Sequence, residues 1–352
     1  MKEVDYIVVG LGLAGMAFCE QLENHNKSYV VFDYSDGDTA SRVAGGLYNP
    51  VILKRYTLPW MAAEQLDLAS TYFKNLEIKL GVKIIYDLPV LKVLSSVEDQ
   101  NNWFEASDKK GVSRFVNSDL YRKEYQYINA PFHYGEVKET GRIDISILLN
   151  TYCDYLEKTR KYVNKIFDYE ALELKDESVK YDDIIAKRIV FSEGFGIKQN
   201  PFFSALPLVG NKGEYITIKA PNLKSNAAIK SSFFIIPLEN DLYKVGATFN
   251  WKDKDTVPSQ EAREELVQKL KKLISCEFEI VNHEAGVRPT TGDRRPLLGI
   301  HPKLPQLALL NGLGTRGIMM SPFLAKMLYN HLEEGKALMS EVDINRFPKK
   351  LN

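Results

Sequence analysis

Three glycines near the start of the chain are spaced as a pyrophosphate-binding turn requires. Residues 6–9 form a short apolar run that predicts a buried strand, and residues 16–22 have helical spacing. Gly10, Gly12 and Gly15 lie between them. The first glycine of such a turn permits the tight bend, the second lets the backbone approach a pyrophosphate, and the third lets the helix pack closely on the strand. The phosphates would lie against the positive end of the helix dipole.

An acid follows at the distance that a dinucleotide site needs. A second apolar run, residues 29–32, ends in Asp33, about 20 residues after the glycines, where an acid accepts hydrogen bonds from an adenosine ribose. A 2′-phosphate would be repelled by this carboxylate. The pattern therefore favours FAD or NAD over NADP.

A loop of small residues follows the acid, in place of an immediate further βαβ unit. Ser41 and Arg42 could reach phosphates, while Ala44, Gly45 and Gly46 would let a flat aromatic ring lie against the backbone. Taken alone, the segment is equally compatible with an ordinary connecting loop.

The C-terminal third carries two further motifs, at residues 285–299 and 311–322. With the N-terminal turn, the loop at 44–47, the strand end at 191–194 and the segment 212–214, they occur in the order found in the D-amino-acid oxidase and glycine oxidase family. The sequence resembles this family of FAD-dependent amine oxidoreductases over nearly its whole length.

The resemblance implies an α/β fold with two discontinuous domains. A Rossmann-like FAD-binding domain would comprise residues 1–60, 141–205 and 286–352. A substrate-binding domain built on a largely antiparallel sheet would comprise residues 61–140 and 206–285. The sequence itself predicts an amphipathic helix over 59–80 that stops at Gly81. It also predicts strands over 233–237 and 243–249 around an Asn240-Asp241 turn, and a helix over 259–274.

The resemblance further implies noncovalent FAD and a set of cofactor contacts. Beyond Gly10, Gly12, Gly15, Asp33, Ser41, Arg42, Gly45 and Gly46, these are Leu13, Ala14, Leu47, Ala171, Gly194, Thr315, Arg316, Gly317, Ile318 and Met319. Ser321 as a cap and Pro322 in the first turn would begin a helix, whose N–H groups would stabilise negative charge on the reduced flavin.

Arg288 is the expected partner of a substrate carboxylate, because it matches the arginine of the family's Gly-x-Arg-Pro motif. A guanidinium can hold a carboxylate with two parallel hydrogen bonds. An ion pair of Arg288 with Asp293 is the alternative. Tyr48 is a second expected catalytic residue, although a packing role is equally compatible. His283 is a weaker candidate for facing the site.

One departure from the family concerns Thr315, which stands where glycine oxidases place an additional arginine. A second carboxylate contact is therefore missing or is provided by Arg316.

The composition of the chain limits the kinds of molecule to which it is expected to bind. The 352 residues contain 46 basic and 46 acidic side chains, so the net charge of zero gives no overall attraction to nucleic acid or anionic membranes. Cys19, Cys153 and Cys276 are too scattered for a disulfide framework or metal-ligand spacing. No apolar run approaches the ~20 residues of a membrane span. We expect a cytoplasmic protein without a metal, a nucleic-acid partner or a membrane anchor.

The expected function is oxidation of the C–N bond of a small amino acid or N-substituted glycine to the imine, with hydride transfer to flavin. One alternative substrate is the carboxymethylamino group of a modified tRNA uridine. A non-catalytic flavin-binding sensor is a second alternative. Substrate identity, electron acceptor and oligomeric state stay open.

Overall fold

The computed structural model describes residues 1–34, 39–122 and 125–351. Its strands are β1 (Lys2–Val9), β2 (Tyr29–Asp33), β3 (Leu47–Tyr48), β4 (Ile85–Asp87), β5 (Val90–Val93), β6 (Val116–Tyr121), β7 (Tyr134–Val137), β8 (Gly141–Ile143), β9 (Tyr162–Asn164), β10 (Leu172–Leu174), β11 (Val179–Tyr181), β12 (Ile184–Phe191), β13 (Asn211–Lys219), β14 (Ala228–Lys230), β15 (Phe234–Pro237), β16 (Leu242–Gly246), β17 (Glu279–Arg288), β18 (Leu297–His301) and β19 (Leu304–Asn311). Its α-helices are α1 (Leu13–Asn24), α2 (Ala40–Val43), α3 (Ala62–Leu80), α4 (Val97–Asp108), α5 (Ile145–Lys158), α6 (Gln260–Leu273) and α7 (Gly317–Glu334).

The first sheet is built around parallel strands buried on both faces. Its order is β10-β11-β12-β1-β2-β9, and β19 adds to β12 and β18 to β19. Strand β1 runs parallel to both β12 and β2. A parallel sheet requires cover on both faces, which explains the continuous apolar run in β1. This confirms the Rossmann-like part of the predicted α/β fold.

Helices α1, α3, α5 and α7 share one apolar core on this sheet. Phe73 of α3 lies in that core with Leu148 of α5 and Leu324 of α7. The helix predicted over 59–80 is confirmed, and Gly81 ends it in the left-handed conformation at φ 65°. Its packing differs from the expected domain boundaries, which place residues 61–80 with the substrate-binding domain.

The second sheet has the order β17-β13-β16-β15-β14-β5-β7-β6. Its pairs are antiparallel, except that β14 and β5 are parallel. Alternate residues such as Ile216 and Val245 pack against Leu266 and Leu270 of α6. Because side chains alternate across a strand, the opposite face is free to border a cavity. A largely antiparallel second sheet is thereby confirmed.

Strand β17 continues through Arg288, so the expected boundary at residue 286 falls inside a strand of the second sheet. A small sheet of order β3-β8-β4 lies where the chain passes between the two larger ones.

Local signals placed most turns and caps correctly. The Ser259 hydroxyl caps α6 by accepting from the N–H of Ala262, and Asn240 and Asp241 adopt positive φ values of 58° and 57° in the predicted turn. The start predicted for the C-terminal helix is wrong. Helix α7 begins at Gly317 and places Pro322 inside it, so Ser321 is a buried helical residue rather than a cap.

None of the helices in the described part of the chain is long and apolar enough to cross a membrane.

Truncation of α3 should show that this helix belongs to the first core. Phe73 is 2% exposed, and Phe73→Ala should lower the free energy of unfolding by about 3–5 kcal/mol through lost burial and a cavity. Ile78 of the same helix is 79% exposed, and Ile78→Ala should change it by no more than about 0.5 kcal/mol. Urea unfolding of both variants measures the difference, and equal losses would contradict this packing.

Candidate functional site

A cavity of about 1390 Å³ lies between the two sheets. Ligand pockets for drug-sized molecules occupy roughly 300–1,000 Å³, so this one has room for a dinucleotide together with a small substrate. It extends from the β1–α1 turn, past Asp33, to the free face of the second sheet at Tyr215 and Arg288.

The turn between β1 and α1 has space only for glycine. A Cβ added at Gly15 would lie 1.9 Å from the carbonyl oxygen of Gly10, and one added at Gly10 would lie 2.7 Å from that of Ser192. Gly10 also has a φ of 94°, which favours glycine. Gly15 lies beneath the turn, outside the cavity lining, as its predicted role in close packing requires.

Helix α1 presents its first turn to the cavity, and its N-cap residue provides no capping side chain. That residue is Gly12, and the first turn holds no acid. The one side chain of the described residues that accepts from the helix start is Ser41, through a long hydrogen bond from the N–H of Leu13. Leu13 and Ala14 line the cavity here. Uncapped N–H groups and the positive end of the helix dipole suit a pyrophosphate.

Asp33 lies beside this turn at the end of β2. The backbone N–H of Leu11 donates to Asp33 Oδ1 at 2.9 Å. Burial raises the pKa of Asp33, an effect opposed by this hydrogen bond and by Arg42. Asp33 also lines the cavity, so its carboxylate is placed to accept a hydrogen bond from a ribose hydroxyl.

Ser41 and Arg42 line the cavity but already have contacts within the protein. Ser41 Oγ lies 3.4 Å from the N–H of Leu13, and Arg42 donates to Asn150 of α5. The structure therefore places Ser41 near the phosphate-binding turn, and it turns Arg42 towards Asp33 and α5.

The small residues after α2 are required by the approach of the two sheets. A Cβ at Gly45 would lie 2.5 Å from Ile236 Cδ1 of β15, and one at Gly46 would lie 2.1 Å from the carbonyl oxygen of Ile143. Both glycines and Leu47 line the cavity. The loop thus keeps the second sheet close to the predicted flavin position.

Two buried hydroxyl groups of the lining support the fit to a polar cofactor. Ser192 Oγ and Thr290 Oγ1 have no hydrogen-bond partner among the described residues. Buried polar groups are normally satisfied, so these two are suited to a ligand. Together with the uncapped turn and Asp33, they make a donor and acceptor set that fits FAD.

Helix α7 also begins at the cavity without a side-chain cap. Its cap residue is Arg316, and Gly317, Ile318 and Met319 form the first turn. All four line the cavity, together with Thr315. The positive end of this helix therefore lies at the cavity, and its role in stabilising negative charge on a reduced flavin stays a prediction.

Arg316 has no carboxylate partner among the described residues. Burial, with a smaller contribution from Arg294, lowers the pKa of Arg316 to about 10. Its charge is therefore available to an anion in the cavity.

Arg288 stands at the end of β17 with its guanidinium in the cavity. Nη1 donates to Asn211 Oδ1 at 2.8 Å and to the carbonyl oxygen of Thr248 at 3.3 Å. The guanidinium lies 4.8 Å from the ring centroid of Phe249. The alternative ion pair with Asp293 is wrong, because Asp293 pairs with Arg346 at 3.3 Å. No carboxylate of the described residues pairs with Arg288.

Tyr48 lines the cavity, but its hydroxyl is turned to the small sheet. A Cβ at Gly141 would lie 2.3 Å from that oxygen, and burial raises the pKa of Tyr48. This position favours the packing alternative. His283 lies outside the cavity lining, with Nε2 3.0 Å from Glu214 Oε2.

Ala171 is the other expected contact that the structure keeps out of the cavity. It packs beside the core beneath the first sheet, whereas Tyr169, two residues earlier, lines the cavity with Phe167 and Glu193. Gly194, also expected, lies in the lining.

Sequence reasoning missed Asn211, Tyr215, Lys230 and Phe249, which line the substrate end. The first two flank the 212–214 segment, and strand alternation could have placed Asn211 and Tyr215 on one face.

Replacement of Gly15 should weaken cofactor binding. Gly15→Ala forces α1 away from β1, and a strain of 1.4 kcal/mol or more would weaken FAD binding by about tenfold or more. Gly292→Ala is the matched control, since a Cβ there meets nothing within 4 Å. Visible flavin absorbance per protein, with FAD titration of the apoproteins, measures the effect. Equal FAD content in both variants would refute the assignment of the turn.

Comparison with known proteins adds independent evidence. The family model "FAD dependent oxidoreductase" matches residues 5–330. Glycine oxidase of Bacillus subtilis (strain 168) is 24% identical, covering 91% of this chain and 90% of that protein. The bifunctional protein MnmC of Idiomarina loihiensis, named for tRNA 5-methylaminomethyl-2-thiouridine biosynthesis, is 26% identical over 92% of this chain and 55% of its own length.

Among solved structures, glycine oxidase from Geobacillus kaustophilus superposes with a TM-score of 0.80 at 19% identity, covering 96% of each chain. This likeness confirms the fold. With the family model spanning most of the sequence, the chain belongs to the FAD dependent oxidoreductases of the D-amino-acid oxidase family, and its cofactor is FAD.

Proposed function

We propose that the protein oxidises the C–N bond of a small amino acid or N-substituted glycine, using noncovalently bound FAD. The observation that carries this proposal is Arg288, a cavity guanidinium with no carboxylate partner among the described residues and with a fixed orientation. The glycine oxidase relative supports the same class of substrate.

Arg288 would hold the substrate carboxylate. Its hydrogen bond to Asn211 fixes one nitrogen of the guanidinium. The guanidinium also lies over the ring of Phe249. A planar group fixed in this way fits both oxygens of a carboxylate and sets the rotation of the adjacent carbon. Asn211 Nδ2 is a buried donor without a partner among the described residues, which suits a further bond to the same carboxylate.

The chemistry that FAD supplies when bound is acceptance of a hydride from the carbon next to the substrate nitrogen. The protein contributes the position of that carbon and the charge of the site. Arg288 and Arg316 both place positive charge in the cavity, which disfavours an ammonium group and favours the neutral amine. Binding the amine in its neutral form removes the need for a dedicated general base.

A second candidate is oxidation of a carboxymethylamino group on a modified tRNA uridine. Two observations favour it: the similarity to MnmC, and exposed aromatic side chains at the cavity mouth, where Phe249 and Trp251 are 63% and 52% exposed. Exposed aromatic rings can stack on bases. Retention of tRNA that weakens with salt, and flavin reduction by the modified tRNA but not by amino acids, would select this candidate.

Loss of the Arg288 charge should slow flavin reduction. Removing one partner of a desolvated charge pair costs about 2–5 kcal/mol, so Arg288→Met should lower the second-order rate constant for flavin reduction by about 30-fold or more. Arg288→Lys, which keeps the charge but loses the planar fork, should lower it by about tenfold. Anaerobic mixing with glycine, sarcosine, proline and D-amino acids measures the rate.

The exposed Arg263 of α6 gives the control variant Arg263→Met, which should reduce its flavin at the unaltered rate. FAD content should be the same in all variants. Reduction of Arg288→Met as fast as the unaltered protein, or oxidised flavin with every amine, would refute the proposal.

A further inference from the structure

A third cation without a carboxylate partner among the described residues lies on the cavity face of the second sheet. Lys230, at the end of β14, lines the cavity and is half-buried. Its ammonium lies 4.8 Å from the ring centroid of Phe234, the residue opposite it on β15. No carboxylate of the described residues lies within ion-pair distance of Lys230.

The charges of two neighbouring lysines, by contrast, are compensated by carboxylates. Lys92, opposite Lys230 on β5, contacts Asp99 Oδ2 at 3.0 Å, and Lys269 of α6 pairs with Glu265. Burial, with repulsion from Lys92 and Lys269, lowers the pKa of Lys230 to about 8. An anion at this point of the cavity would raise the pKa of Lys230 and stabilise its charged form.

The side chains of Lys230 and Arg288 extend towards each other along the cavity face of the second sheet but are not in contact. A Cβ at Gly213 of β13 would lie 2.0 Å from Arg288 Nη2, so the guanidinium covers that strand. The ammonium of Lys230 lies over Phe234 of β15. Strand β16 lies between β13 and β15. Two strand spacings across the sheet, with an offset of about two residues along the strands, place the two charges about 12 Å apart. One carboxylate cannot contact both.

We propose that the substrate carries two anionic groups, a carboxylate next to the amine that binds Arg288 and a distal carboxylate or phosphate that binds Lys230. This inference rests on the proposed function and narrows its substrate class. Lys230 is then a specificity-determining residue for amines with an anionic tail.

A series of N-carboxymethyl amines tests the distance and the charge. The tails are alkyl chains of increasing length that end in a carboxylate, a phosphonate or a methyl group. The protein should reduce its flavin with a kcat/KM about tenfold or more higher for an anionic tail than for the methyl tail of equal length, the factor expected of one charge-assisted hydrogen bond. The carboxylate and phosphonate arms show which anion it prefers.

Variants of Lys230 assign that preference to one side chain. Lys230→Met should bring the ratio of anionic to neutral tails close to one, and Lys230→Glu should favour tails that end in an ammonium group. Lys269→Met, a nearby lysine outside the cavity lining, should retain the preference of the unaltered protein. FAD content and the melting temperature show that each variant is folded.

A binding measurement separates failure of this inference from failure of the proposed function. Unreactive α,ω-dicarboxylates and monocarboxylates of equal length are titrated into the FAD-loaded protein, and the shift of the flavin spectrum gives Kd. Even if no amine reduces the flavin, dicarboxylates should bind about tenfold more tightly, and Lys230→Met should abolish the difference. Equal binding of both series, or an unchanged preference in Lys230→Met, would overturn the role of Lys230.

Discussion

Positive charge without a protein counterpart is concentrated in the cavity between the two sheets. The N-cap residues of α1 and α7 both lie there and provide no side-chain cap. Arg288, Arg316 and Lys230 line the same cavity with no carboxylate partner among the described residues. Burying such charge is unfavourable unless a ligand compensates it. The arrangement therefore suits anionic ligands, and it is consistent with the proposed positions of the pyrophosphate at α1, the reduced flavin at α7 and an acidic substrate at the second sheet.

The two sheets contribute to the cavity in different ways because their geometries differ. The parallel strands of the first sheet end at one edge, where the start of α1 lies near Asp33 at the end of β2 and Ser192 after β12, as expected of an open α/β sheet. The second sheet borders the cavity with one of its faces rather than with the ends of its strands. Helix α6 covers its apolar side, so the alternate residues, including Asn211 and Tyr215, border the cavity. One sheet is thus suited to hold the cofactor and the other to orient what reacts with it.

Close contact between the sheets limits what the connecting loop can contain. Gly45 touches Ile236 of the second sheet and Gly46 touches the backbone of β8, so larger residues would push the substrate face away from the cofactor. The orientation of Arg288 is set within the second sheet, because its partners Asn211 and Thr248 come from β13 and from the segment after β16. The contact between the two sheets then sets how far this guanidinium lies from the cofactor side of the cavity.

The sequence by itself determined the features whose cause is local. The glycine spacing of the first turn, the acid at Asp33, the stop at Gly81 and the cap of α6 at Ser259 each depend on residues a few positions apart, and the motif at Arg288 carried the family. The start of α7, the packing of α3 and the positions of Tyr48 and Ala171 depended on tertiary contacts. The same holds for the partnership of Arg288 with Asn211 and for the exposure of Lys230 to the cavity. Residues 77 positions apart meet only through strand pairing, and whether a buried charge has a partner is decided by the register of strands that no short segment specifies.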